Sequence, residues 1–451
     1  MNSKNPALRV LLSLAVAAVL PACGNVNNGH VAVPFTVRAS VSSAGAQGNL
    51  GSAQARLSGN GRYVVFTSAA DNLAPLVVSG THNIFRHDLQ TGVTELVSIG
   101  VGGVPADGEC FLPSVSFDGQ RIAFQSSATN LTAASPVDQQ VYVRDMTAIV
   151  GNGISMVSEA SPGVPGTGAS FDASISGDGN FVAFASWATN FGDAPVNGVP
   201  NIYRRDLSGS TIILISVSLT LGHPTPPLGG VGSSAPSISG DGSRIAYVSD
   251  CTDLVAGDLN DINDVFVAIV GLPIETRLAS PSIYGGTAFG FSESPSLSTN
   301  GLFVAYQSDA FDLVALDTNF MAHDIFVFDV ELQTVQLVSV NAQGFQGGPA
   351  EESFHPSMSS DGLQVAFEST ASNLVAGDTN QSNDIFIKDL VTGVVFRVSV
   401  DSSGNSAGLS QNSYSPSISA NGAAVAFSSG ATFVKGDTNG VDDVYVRSPL
   451  R

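Results

Sequence analysis

The residues most suited to chemistry in this chain are acidic and recur in loops. Three segments repeat one arrangement: Gly257-Asp258-Leu259-Asn260-Asp261-Ile262-Asn263-Asp264, Gly377-Asp378-Thr379-Asn380-Gln381-Ser382-Asn383-Asp384 and Gly436-Asp437-Thr438-Asn439-Gly440-Val441-Asp442-Asp443. Asp, Asn and Asp at i, i+2 and i+6 are hard oxygen donors of the kind Ca²⁺ accepts, with backbone carbonyls and water completing the shell. The candidate metal ligands are therefore Asp258, Asn260 and Asp264; Asp378, Asn380 and Asp384; Asp437, Asn439 and Asp443; and a version stretched by one residue, Asp317, Asn319 and Asp324. Equivalent positions nearer the N-terminus (Val77, Ser79, Asn83 and Pro195, Asn197, Asn201) lose the pattern. Asp and Asn also cap turns by bonding their own backbone, and a duplicated structural loop would recur in the same way.

A second group consists of Glu109, Glu293, Glu351, Glu352, His223 and His355, expected in connections between repeats, and His323 in a loop within one. Such groups can bind a ligand or move protons, but no spacing singles out a catalytic pair. There is no His-Glu-x-x-His and no phosphate-cradling glycine loop. Carboxylates outnumber bases 38 to 17 and the formal charge is -21, which excludes binding driven by attraction to nucleic-acid phosphates. Three cysteines without a C-x-x-C pair give no disulfide framework and no zinc site; Cys110 and Cys251 are expected to be inert buried thiols. Trp187 is expected to cover a core.

The N-terminus reads as a targeting segment. Lys4 and Arg9 precede an apolar run over residues 10–22, too short to span a bilayer. It ends Leu20-Pro21-Ala22-Cys23, which resembles the lipobox of bacterial lipoproteins, and that resemblance implies diacylation of Cys23 after cleavage. Gly24 stands where an aspartate would argue for inner-membrane retention. The expected division is a signal peptide at 1–22, a lipid-anchored linker at 23–32 and one folded unit at 33–451. The location this implies is exported, with the lipid at Cys23 as the only membrane attachment, on the outer membrane or periplasmic side if the cell is Gram-negative.

The elements that must position the acidic loops come from a sevenfold repeat. Ser-x-(Asp/Asn)-Gly begins at Ser58, Ser116, Ser176, Ser239, Ser298, Ser359 and Ser419, at intervals of 58 to 63 residues. Each Asp-Gly or Asn-Gly is expected to supply the positive φ angles of a two-residue hairpin turn. Before it runs a strand such as Pro356-Ser357-Met358-Ser359; after it comes an apolar strand, Val365-Ala366-Phe367. A third strand, Asp384-Ile385-Phe386-Ile387, and a fourth, Val395-Phe396-Arg397-Val398-Ser399, complete four antiparallel strands. The last repeat stops after its third strand, while Phe35-Thr36-Val37-Arg38-Ala39-Ser40 resembles a fourth. Together they predict an all-β, seven-bladed propeller of four-stranded antiparallel blades, closed by pairing this N-terminal strand with the last blade. The small serines of Pro-Ser-x-Ser put the first strands at the axis.

Ser-x-Asp-Gly-x-x-(Val/Ile)-Ala-Phe-x-Ser followed by Asp-(Ile/Val)-Phe-Val-x-Asp-Leu resembles the repeat of TolB-like propellers, also called PD40 or WD40-like repeats. The resemblance runs over residues 34–447 and implies fold more than function. The expected role is a non-catalytic binding platform for an envelope protein or a glycan, stabilised by Ca²⁺. Its loop face carries Glu109, Glu293, Glu352, His355 and His323. The competing expectation is a carbohydrate lyase or hydrolase that uses carboxylates or histidine at the channel mouth.

Overall fold

The computed structural model describes residues 33–450 except 79, 150, 193–196, 221, 223 and 228. Cys23, with the rest of the expected signal and linker, and Ser79, Pro195 and His223 lie outside the described residues. The described strands form seven four-stranded antiparallel sheets and one two-stranded ribbon, Glu159–Ser161 with Val164–Pro165. The sixth blade shows the plan: Ser353–Met358, Gln364–Ser369, Asp384–Asp389 and Val395–Arg397 follow one another from the axis to the rim. In the seventh blade, Phe35–Arg38 takes the outer position beside Asp443–Ser448, with Thr36 opposite Arg447 and Val37 opposite Val446. The ring is closed as expected. No helix of the described residues is long and apolar enough to cross a membrane.

Apolar residues on both faces of the second and third strands explain why closure is needed. Each of seven buried clusters draws on two adjacent blades: Ala366, Ile385 and Ile387 of the sixth pack with Val425, Phe427 and Tyr445 of the seventh. The seventh in turn presents Ala426, Val444 and Val446 to Val64, Phe66 and Phe85 of the first. A blade alone would leave half of each face wet, at about 1.5–3 kcal/mol for every large side chain uncovered.

The Ser-x-(Asp/Asn)-Gly turn corrects the two-residue expectation. Ser58 N–H bonds the Tyr63 carbonyl and Gly61 N–H bonds the Ser58 carbonyl, so four residues form the loop, and Gly61 is its left-handed residue (φ 71°). The motif's polar side chains favour the longer loop. Ser58 Oγ donates to Asn60 Oδ1 and accepts from Tyr63 N–H, while Asn60 Oδ1 accepts from Arg62 N–H. The residue after each Ser joins a belt of interblade backbone bonds: Asn60 N–H to Phe117 O, Phe117 to Gly177, Asp178 to Gly240, Gly240 to Thr299, Asn300 to Ser360, Ser360 to Ala420, and Ala420 back to Gly59. This belt pinches the channel at the turn face, and glycine is needed where its neighbours are larger: a Cβ on Gly59 would overlap the Phe117 ring and one on Gly240 would overlap Thr299 Cγ2.

The serines of the Pro-Ser-x-Ser pattern, with Ser174 after Ala173 in the third blade, are structural, as expected. Ser114, Ser174, Ser237, Ser296, Ser357 and Ser417 each accept, through Oγ, a backbone N–H of the next blade's inner strand at 2.9–3.3 Å, the last reaching Leu57. In the first blade Arg56 stands in place of this serine. Ser417→Ala is expected to lower stability by about 1–2 kcal/mol, because the buried Leu57 amide loses its acceptor. The denaturant midpoint reads this; an unchanged midpoint would assign the seam to packing alone.

Candidate functional site

Inner strands from all seven blades line a central cavity of about 370 Å³, with Arg56, Asp172, Ser294, His355 and Ser415 among its walls. Each inner strand bulges at its third residue, and these seven residues, Gln54, Leu112, Asp172, Ala235, Ser294, His355 and Ser415, all have φ between 48° and 56°. Five of these amides are capped across the blade interfaces: Gln54 Oε1 accepts from Leu112, Gln125 from Asp172, Asp172 from Ala235, Gln307 from His355 and Glu368 from Ser415. Left-handed backbone at non-glycine residues is strained, and these acceptors help to hold it.

His355 therefore lies within an inner strand and lines the channel, not in an interblade connection as expected. Its Nδ1 is 2.8 Å from Glu368 Oε1, and the His355 side chain is 54% exposed against 5% for Glu368. His323 Nδ1 lies 3.7 Å from Glu352, and its ring packs on Phe354 at 5.0 Å. The same design recurs between the first and second blades, where His82 Nδ1 is 2.7 Å from Glu109 and its ring 4.9 Å from Phe111. Glu293 accepts from Asn263 Nδ2 at 3.1 Å. The expected face residues are thus divided among three blade interfaces. His82, Glu368, Arg56 and Gln54 were missed; the replacement of Pro-Ser by Ala55-Arg56 in the first repeat was the available signal for Arg56.

The acidic loops differ from blade to blade. The last residue of each pattern begins the third strand, is buried, and accepts from a serine two residues past the outer strand: Ser280 to Asp264 at 2.7 Å, and Ser339 to Asp324, Ser399 to Asp384 and Ser40 to Asp443 at 2.5 Å. Asn83 and Gln140 receive the same bond from Ser98 and Ser158, so this position is a structural clamp in blades without the pattern too. In the sixth blade Arg397 Nη1 sits 2.9 Å from Asp378 and 3.3 Å from Asp384. In the seventh, Arg38 Nη1 is 3.4 Å from both Asp437 and Asp443, and Tyr445 OH also bonds Asp437. In the fifth, Gln346 Nε2 donates to Asp317, Asn319 and Asp324. Protein groups thus occupy the point between the carboxylates in three of the four loops. The fourth blade differs: Asp258 is 2% exposed and neither carboxylate oxygen has a partner, while Asn260 Nδ2 bonds Asp264. Burial pushes the carboxyl of Asp258 up to about 6 and that of Asp264 up to about 7. Among the described residues no group of three or more His, Cys, Asp or Glu side chains is placed to hold a metal ion.

The loops around the fifth blade also expose large apolar side chains, which the sequence analysis did not single out. Phe289 (71% exposed) stacks on Phe311 at 6.0 Å, with Tyr284, Phe320, Met321 and Phe345 on the adjoining loops. These loops are tied together: Ile283 N–H bonds the Asp312 carbonyl, and Thr318 bonds Gln346. Trp187 is 46% exposed and belongs to no core cluster, so it does not cover a blade as expected. Cys110 and Cys251 are buried and free, and burial pushes both thiols up to about 12.

No family model matches the chain, and no curated protein is significantly similar to it. Among solved structures, the β-propeller domain of the Trilobed protease from Pyrococcus furiosus is similar over 88% of this chain and 95% of its own, at 9% identity and a TM-score of 0.51. An oligogalacturonate lyase from Vibrio parahaemolyticus matches 92% of this chain and 90% of its own, at 12% identity and a TM-score of 0.49. A putative TolB from Agrobacterium tumefaciens matches 80% and 96%, at 15% identity and a TM-score of 0.41. At these identities the likeness is one of fold, and the fold of this chain is the seven-bladed β-propeller.

Proposed function

We propose that the protein is an exported, lipid-anchored and non-catalytic binding platform in the cell envelope, which engages an envelope protein, or alternatively a glycan, through the face that carries the interblade connections. One observation carries this reading: the exposed aromatic group around the fifth blade, with the stacked Phe289 and Phe311 at its centre, satisfies no core of its own. Aromatic side chains exposed together on tied loops are what a binding surface supplies. Export and anchoring rest on the segment ending at Cys23. Crosslinking in native membranes followed by mass spectrometry is expected to recover an envelope protein. The double substitution Phe289→Ser and Phe311→Ser is expected to reduce that recovery at least tenfold with the melting temperature unchanged. Hits on a glycan array without a protein neighbour would reverse the partner class.

A second reading is favoured by one feature, the half-exposed His355 held by the buried Glu368. A carboxylate that orients a histidine whose ring reaches a cavity is the arrangement of a general base. On that reading the protein is a lyase or hydrolase. The interblade bond of Glu368 to Ser415 N–H gives the carboxylate a structural reason that Gln125 and Gln307 share in other blades, so the binding reading stands first.

A further inference from the structure

We propose that the second-to-third-strand loop of the fourth blade holds one calcium ion between Asp258 and Asp264, at the place that arginine side chains fill in the sixth and seventh blades. The register makes the blades comparable. Arg397 lies opposite Phe386 and Arg38 opposite Tyr445; the residue at that position in the fourth blade, opposite Phe266, is Leu278. The guanidinium groups bridge Asp378 to Asp384 and Asp437 to Asp443, so the point between each carboxylate pair is a cation position by demonstration within this molecule. Leucine brings no charge to it. Phe266 likewise lacks the hydroxyl through which Tyr445 bonds Asp437 in the seventh blade.

The second observation is the state of Asp258 itself. It is buried, and both of its oxygens lack a hydrogen-bond partner, whereas Asp378 and Asp437 are ion-paired and Asp317 accepts from Gln346. A buried carboxylate left without a counter-charge is strongly unfavourable, so a cation that enters is bound in proportion to the relief it brings. The chemistry selects a hard ion. Asp258 offers two oxygens and Asp264 its Oδ2; Asn260, which donates to Asp264 and to the Ala288 carbonyl, braces the loop, and loop carbonyls and water complete a flexible shell that suits Ca²⁺ better than Mg²⁺. Two carboxylates with no positive partner call for a divalent charge. The inference is independent of which partner the platform binds.

The test uses the purified full-length chain stripped with chelator and followed by calorimetry and thermal melting at neutral pH and constant ionic strength. Calcium at about 1 mM is expected to bind at about one ion per chain and to raise the melting temperature by about 2–5 °C. Asp258→Asn, which removes the buried charge, is expected to abolish both responses. Leu278→Arg, which installs the sixth blade's arrangement, is expected to lose calcium binding and to melt no lower than the calcium-free parent. If Asp258→Asn fails to fold, Leu278→Arg decides. No heat of binding, an undiminished response in Leu278→Arg, or an equal shift from Mg²⁺ or Na⁺ would overturn the assignment.

Discussion

A chain that begins at residue 41 is expected to lose its cooperative melting transition or to shift it down by at least about 10 °C, whereas one that begins at residue 33 melts as the parent does. The excised segment does more than add a strand. Arg38 leaves the buried Asp443 and the largely covered side chain of Asp437, and Ser40 no longer donates to Asp443 or accepts from Val444 N–H. Breaking a buried ion pair from one side costs about 3–5 kcal/mol. The unpaired edge of Asp443–Ser448 and the loss of Thr36 Oγ1 to the Val400 carbonyl, which ties the seventh blade to the sixth, add to it. The sum is comparable with the 5–15 kcal/mol that holds a typical domain folded. A synthetic peptide of residues 33–41 added in trans is expected to restore part of the transition. A truncated chain that melts like the parent would show that ring closure carries little of the stability.

The repeat and its closure were legible because both are periodic. An Arg-x-Ser that closes the outer strand occurs as Arg38-Ala39-Ser40 at one end of the chain and as Arg397-Val398-Ser399 in a complete repeat, and the serine makes the same bond to a third-strand aspartate in each. The turn was read one step too simply, since Asn-Gly alone signals two residues while Ser58 Oγ and Asn60 Oδ1 together stabilise four. The metal loops show a deeper limit. Spacing displays the oxygens of Asp378 and Asp384, but the cation that satisfies them arrives from Arg397, across the blade and outside any local motif. Only superposing the repeats, so that Leu278, Arg397 and Arg38 fall on one position, separates the fourth blade from the sixth and seventh. The left-handed residues of the channel leave no local trace at all, because the acceptors that hold their amides, such as Gln307 for His355, belong to the preceding blade. The aromatic surface was unreadable for a related reason: Phe289 and Phe326 look alike in sequence, and the fold decides that one is wet and the other buried.

Glycine at the fourth position of the repeated turn is expected to matter unequally, and the contrast tests how the blades seal against each other. Gly61 and Gly362 share a left-handed backbone, with φ of 71° and 77°. Alanine at either pays about 1 kcal/mol for that conformation. Their surroundings differ. A Cβ on Gly61 would meet Ser419 Cβ at 3.7 Å, an ordinary contact. One on Gly362 would lie 2.8 Å from Phe303 Cγ and closer still to Cδ2, inside the ring that begins the fifth blade's second strand. Phe303 packs against the cluster shared by the fifth and sixth blades, so moving its ring disturbs that core, a further cost of about 1–3 kcal/mol. Gly362→Ala is therefore expected to destabilise by about 2–4 kcal/mol and Gly61→Ala by about 1 kcal/mol in equilibrium unfolding. Gly362→Ala combined with Phe303→Leu should recover part of the loss, because the smaller side chain vacates the ring's edge. Equal losses at the two glycines would leave backbone conformation as the whole reason for the motif and remove the seam from the account.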